Sequence, residues 1–110
     1  MNHFHISAAF CFLVASASGT VAADIQTGRE LARQCSVCHG KEGVSNDPEV
    51  PIIAGQHAFY IEKSLKDYRS GARQDRRMTL IAQPLTDDEI SDLAAWFEAI
   101  KITVELPEIQ

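Results

Sequence analysis

Positive charge is in short supply in this 110-residue chain. Ten Lys and Arg stand against fifteen Asp and Glu, for a net charge of −5. That balance excludes DNA and RNA as ordinary partners, because phosphate binding needs a basic surface. Methionine is scarcer still, with only Met1 and Met78. There is no internal repeat, no low-complexity tract and no second C-x-x-C. Apolar and polar residues alternate only in the short tail Ile102–Leu106, so nothing predicts a sheet. The length allows one domain at most.

The longest apolar run, Ile6–Val14, lies at the N-terminus and gives way to small residues ending Thr20-Val21-Ala22-Ala23. Val at −3 and Ala at −1 suit a signal peptidase, so residues 1–23 are expected to form a signal peptide cut before Asp24. The n-region departs from the usual pattern in carrying His3 and His5 but no Lys or Arg. The run is too short for a permanent span, and Cys11 is expected to leave with it. No later segment is apolar enough to anchor the chain in a membrane. What remains is 87 residues carrying the whole net charge. A chain of that size buries only about 60% of its unfolded surface and gains from a staple or a large cofactor.

The patterns beyond Ala23 are helical. Asp24 can cap a first helix over Ile25–Gln34, with Ile25, Gly28 and Leu31 inward. Gly40, Gly43, Asn46-Asp47-Pro48, Pro51 and Gly55 then mark a loop. His57–Ser70 reads as a second helix, with Ile61, Leu65 and Tyr68 on one stripe and Gly71 as its stop. Ala72–Pro84 reads as an irregular connection containing Met78. Thr86-Asp87-Asp88-Glu89 forms a capping box with acidic residues at the positive helix end. It opens a third helix with Ile90, Leu93, Ala94, Phe97 and Ile100 along one face. The fold class expected is all-α.

The chemistry is concentrated in Cys35-Ser36-Val37-Cys38-His39. A redox dithiol of the thioredoxin kind needs its C-x-x-C at a helix start after a strand. Here it is expected to end the first helix, in a chain with no strand–helix–strand pattern. A tetrahedral zinc site needs four ligands, and beyond these three residues only His57 and carboxylates are on offer. Covalent haem attachment fits instead. Two thiols two residues apart on one helical turn can each join a vinyl group of the porphyrin, and the next residue can bind the iron through imidazole. C-x-x-C-H is the signature of c-type haem. Met78 is the one methionine outside the leader, and a thioether is a soft ligand for low-spin haem iron. His57 is the rival for that sixth position.

With these pieces the chain resembles the class I c-type cytochromes, in particular the small bacterial kind whose domains also occur in tandem di-haem proteins. The resemblance covers about Asp24–Lys101 and rests on CSVCHG, PIIAGQ with Tyr60, SLKDYRSGAR, Met78 and LTDDEISDLAAWF. It implies three main helices and loops wrapped around one covalent haem c. It also implies thioethers at Cys35 and Cys38, axial His39 and Met78, and a Pro51 carbonyl accepting a hydrogen bond from the other ring nitrogen of His39. Gly28 would let the first helix cross closely over Trp96 and Phe97. Residues 102–110 would be a tail outside the domain.

By the same resemblance the protein is a periplasmic electron carrier rather than an enzyme. Its partners would be redox proteins: a membrane cytochrome complex, an oxidase or a flavoprotein dehydrogenase. PIIAGQ and the run Met78–Ala82 also look similar to the cytochrome subunit of flavocytochrome c sulfide dehydrogenase, which makes a subunit of such a complex the alternative. Arg73, Arg76 and Arg77, beside Met78 in an otherwise acidic chain, are the expected docking cations.

Overall fold

A computed structural model describes residues 22–109. Apart from Ala22 and Ala23, the signal peptide expected over 1–23 therefore lies outside the described residues, Cys11 included. Five α-helices and one 3-10 turn make up the fold, with no strand among the described residues. The Ile102–Leu106 alternation belongs to an irregular tail.

Helix α1 spans Ile25–Leu31. Asp24 caps it as expected, its carboxylate accepting from the amides of Gln26 and Thr27 at 2.7 and 3.0 Å. The helix does not run on to Gln34. The amides of Arg33 and Gln34 reach back only three residues, to Glu30 and Leu31, and this tightening ends the α-helical run. The chain restarts as α2, Ser36–His39. Gly28 is buried and Leu31 half-buried, but Ile25 is exposed, because it sits at the first turn before the helix meets its neighbour. A 3-10 turn follows at Lys41–Gly43.

Helix α3 spans Ala58–Ser70, with His57 as its N-cap residue. Ile61, Leu65 and Tyr68 are buried on one stripe. The expected irregular connection contains a further helix, α4, over Arg76–Ala82. The last helix, α5, spans Asp87–Ala99 and has the full capping box. Thr86 accepts from the Glu89 amide, and Glu89 accepts from the Thr86 amide. Ile90, Leu93, Ala94 and Phe97 are 0–3% exposed, so this stripe is the centre of the core. Ile100, at the helix C-cap, is half-buried.

Helices α1 and α3 both pack on α5, and α4 packs on α3. Where α1 crosses α5, a Cβ at Gly28 would lie 2.0 Å from the Asp92 carbonyl oxygen and 3.0 Å from Trp96 Cβ. The nearest approach is thus to Asp92 and to Trp96, the second of which was expected. Phe97 also closes on the 3-10 turn, its Cε1 lying 3.0 Å from where a Gly43 Cβ would be. Arg29 lies over the Trp96 ring, 5.6 Å from its centroid. Gly28→Ala should force the two helices apart and cost about 1–3 kcal/mol, the usual range for overpacking. Thermal unfolding of the variant should show a clear drop in Tm, and an unchanged Tm would mean that the crossing is not tight.

Candidate functional site

The short helix α2 sets the spacing of the C-x-x-C-H residues. Cys35 is its N-cap residue, and Cys38 and His39 form its last turn. The amides of Cys35 and Ser36 donate to the Ala32 carbonyl at 3.0 and 3.1 Å, and the His39 amide donates to Cys35 at 2.9 Å. The motif thus opens a helix rather than ending one, contrary to the expectation from sequence. Gly40 stops it with φ +77°, and a Cβ there would lie 2.1 Å from the Val44 carbonyl oxygen.

His39 is 8% exposed, and its Nδ1 lies 2.8 Å from the Pro51 carbonyl oxygen. A carbonyl only accepts, so Nδ1 carries the proton and Nε2 keeps its lone pair. The loop that presents Pro51 is itself pinned. The amides of Ile53 and Ala54 donate to the Gly43 carbonyl, and Gly55 donates to Phe97 of α5 at 2.9 Å.

Met78 arrives on α4, which sequence periodicity missed. Asp75 caps that helix, accepting from the Arg77 and Met78 amides at 2.8 Å each, and the Asp75 amide donates to Thr79 Oγ1. These two amide bonds, Met78 first, hold the Asp75 carboxyl below its ordinary range. The missed signal was an Asp three residues ahead of the methionine, a common N-cap residue.

Cys35, Cys38, His39, Pro51 and Met78 all line one cavity of about 560 Å³. Ile61, Leu65, Leu93 and Phe97 of the core line it too. At the rim stand Tyr60, Ser64, Arg73 and Arg77, and Arg73 also lies over the Tyr68 ring at 4.6 Å. Arg73, with help from Ser64, holds the Tyr60 hydroxyl below the ordinary phenol range. His57, the rival ligand, does not line the cavity. It is exposed at the start of α3, with Nδ1 3.7 Å from Glu98.

Neither competing chemistry fits this arrangement. No strand of the kind that a thioredoxin-like dithiol requires precedes α2 among the described residues, and burial pushes the Cys35 thiol up to about 11 rather than down. No group of three or more His, Cys, Asp or Glu side chains forms a metal cage among the described residues. An apolar cavity with two thiols and an imidazole lone pair at its wall fits a flat apolar macrocycle, with arginine and hydroxyl donors at the rim for its carboxylates.

The family model for cytochrome c matches residues 25–101. The chain belongs to the cytochrome c family. Cytochromes c carry haem c covalently, with its iron, and work in electron transport. Cytochrome c-554(548) of Halomonas halodenitrificans is 38% identical over 81 residues, which cover 71% of this chain and 98% of that protein. The cytochrome subunit of sulfide dehydrogenase from Chlorobaculum tepidum is 36% identical over 70 residues, covering 64% of this chain and 63% of that one. The crystal structure of reduced recombinant cytochrome c4 from Pseudomonas stutzeri superposes with a TM-score of 0.70 at 34% identity, covering 76% of this chain. The chain spans about half of that structure's length, 48%. No helix among the described residues is long and apolar enough to cross a membrane.

The Asp75 cap yields a test of how Met78 is held. Asp75→Ala should speed hydrogen exchange at the Arg77 and Met78 amides several-fold, and Asp75→Asn, which keeps an acceptor, should restore most of the protection. The folded-state carboxyl is depressed, so its contribution is present above the unfolded value and lost as pH falls through the folded one. Protection should therefore persist through the ordinary carboxylate range and fail only below it. NMR exchange across a pH series reads both effects, and exchange indifferent to the substitution would leave Met78 held by packing alone.

Proposed function

We propose that this chain is a periplasmic single-electron carrier with one haem c in the 560 Å³ cavity. Cys35 and Cys38 would hold the haem through thioethers, and His39 Nε2 and the Met78 sulfur would ligate its iron. The observation that supports this most is the convergence, on one apolar cavity, of both thiols, the Pro51-anchored His39 and the chain's one non-initial methionine. When bound, the haem supplies a one-electron iron couple. The chain's residues do the rest. The Pro51 carbonyl fixes the His39 ring and makes its free nitrogen a better donor. The Met78 thioether favours the reduced state and raises the potential. Leu65, Leu93 and Phe97 keep water from the cavity floor. With His39 and Met78 both holding the iron, no position would be left for a substrate, so electron exchange rather than catalysis would be the work.

A second reading is a haem subunit of a flavoprotein sulfide dehydrogenase, supported by the likeness to the Chlorobaculum tepidum subunit. Copurification with a flavoprotein at fixed stoichiometry would favour the subunit, and a protein that purifies alone would favour the carrier.

Cys35→Ala with Cys38→Ala should abolish covalent haem, whereas Met78→Ala should keep it attached, open the iron to carbon monoxide and lower the potential. Spectra of the purified variants and a redox titration decide this. An unchanged Met78→Ala spectrum would return the sixth position to His57 or another group.

Docking can be tested at the cavity rim. Arg73, Arg76 and Arg77 are exposed, and no carboxylate oxygen lies within 4 Å of their guanidinium nitrogens among the described residues. If they steer an acidic redox partner, Arg76→Gln with Arg77→Gln should slow electron transfer at low salt much more than at high salt, where the Debye length falls below about 8 Å. Rates across a salt series with the purified partner check it. Equal slowing at every salt concentration would assign the arginines to the shape of α4.

A further inference from the structure

Asp92 stands where α5 meets α1, half-buried, with no Lys, Arg or His nitrogen within 4 Å of its carboxylate among the described residues. Three other acidic side chains of α5 have partners, and Asp88 at its exposed first turn has none among the described residues. Asp87 pairs with Arg69, Glu89 completes the capping box, and Glu98 accepts from the Ala58 amide. The partner of Asp92 is the backbone nitrogen of Asp24, 2.6 Å from Oδ1 and 68 positions away in the chain. That nitrogen belongs to the Ala23–Asp24 peptide bond, the bond that Val21-Ala22-Ala23 marks for cleavage. Residues 22–24 are exposed and irregular ahead of α1, and the carboxylate of Asp24 itself is occupied by the Gln26 and Thr27 amides.

We propose that the amino group freed on Asp24 by the expected cut after Ala23 is the counter-ion of Asp92, fastening α1 to α5. One water is consumed: the C–N bond breaks, Ala23 leaves as a carboxylate and Asp24 keeps an ammonium. No electrons move, and an export-linked peptidase supplies the catalysis. Before the cut, Asp92 faces one neutral N–H donor. After it, the same atom carries a charge and three donors. A charge-assisted hydrogen bond is shorter and roughly twice as strong as a neutral one. Two carboxylates beside the new ammonium also offset its unfavourable place at the positive end of α1. Processing therefore steadies the helix crossing at Gly28, and with it the segment that leads into Cys35–His39. This inference rests on the export reading given above.

The test compares two haem-loaded forms of the protein. One is exported with its own leader. The other is exported behind a leader whose removal leaves two extra residues, Gly-Ser, ahead of Asp24. Each is made with Asp92 and with Asp92→Asn. The first form should begin at Asp24 by intact mass and unfold several degrees above the extended form, and Asp92→Asn should remove at least half of that gap. Equal midpoints for the two forms, an equal loss in both on Asp92→Asn, or a start at another residue would overturn the proposal. Should Asp92→Asn fail to fold, the processed and extended forms with Asp92 intact still decide it. A purified protein that retains Met1 would overturn the export reading as well, whereas a start at Asp24 with equal midpoints would overturn the ion pair alone.

Discussion

The first helix reaches its place only because residue 28 has no side chain. With the Asp92 carbonyl 2.0 Å from the position of a Cβ, any larger residue would lift α1 off α5. The lift would not stay local. α1 leads through a single turn into α2, and α2 holds Cys35, Cys38 and His39 in register. A displacement at the crossing is therefore passed along about three helical turns of chain to the wall of the cavity. Close backbone contact, rather than a large apolar interface, is what fixes the geometry of the site.

Three separate segments meet at that cavity. Main-chain bonds hold two of them, the C-x-x-C-H turn on the Ala32 carbonyl and the Pro51 loop on Gly43 and Phe97, and the Asp75 carboxylate caps the Met78 helix. The His39 ring ties the first two segments together through the Pro51 carbonyl. The arrangement also makes the core incomplete by itself. Leu65, Leu93 and Phe97 belong both to the apolar cluster and to the cavity wall, so the cofactor of a cytochrome c is as much a part of the interior as any side chain.

Much of this was legible in the sequence where a strong local signal coincided with burial. The Thr86–Glu89 box located the start of α5 to the residue, the stripe Ile90, Leu93, Ala94 and Phe97 its buried face, and Asp24 and Gly71 marked helix ends as expected. α4 was hidden because seven residues beginning Arg-Arg carry too little apolar periodicity to register. Its cap and its packing on α3 make it helical. α1 was read too long because Ala32–Gln34 has helical composition, and the turn there is imposed by the approach to α2. Ile25 was misplaced for a related reason: periodicity gives a face, but only the crossing point determines which turns of that face are covered. At the site, residue types and spacing pointed to the thiols, the imidazole and the thioether. That Arg73 lies over Tyr68 had no sequence signal at all.

The pairing of α1 with α5 joins the first helix of the chain to the last. A polypeptide grows and emerges from its N-terminus, so α1 has no surface to settle on until residues 87–99 have followed it. Bringing the two ends together costs a loop-closure entropy that grows only slowly with the length of chain between them. A chain that stops short of residue 87 leaves α1 without its packing surface, and the run into Cys35–His39 without its anchor.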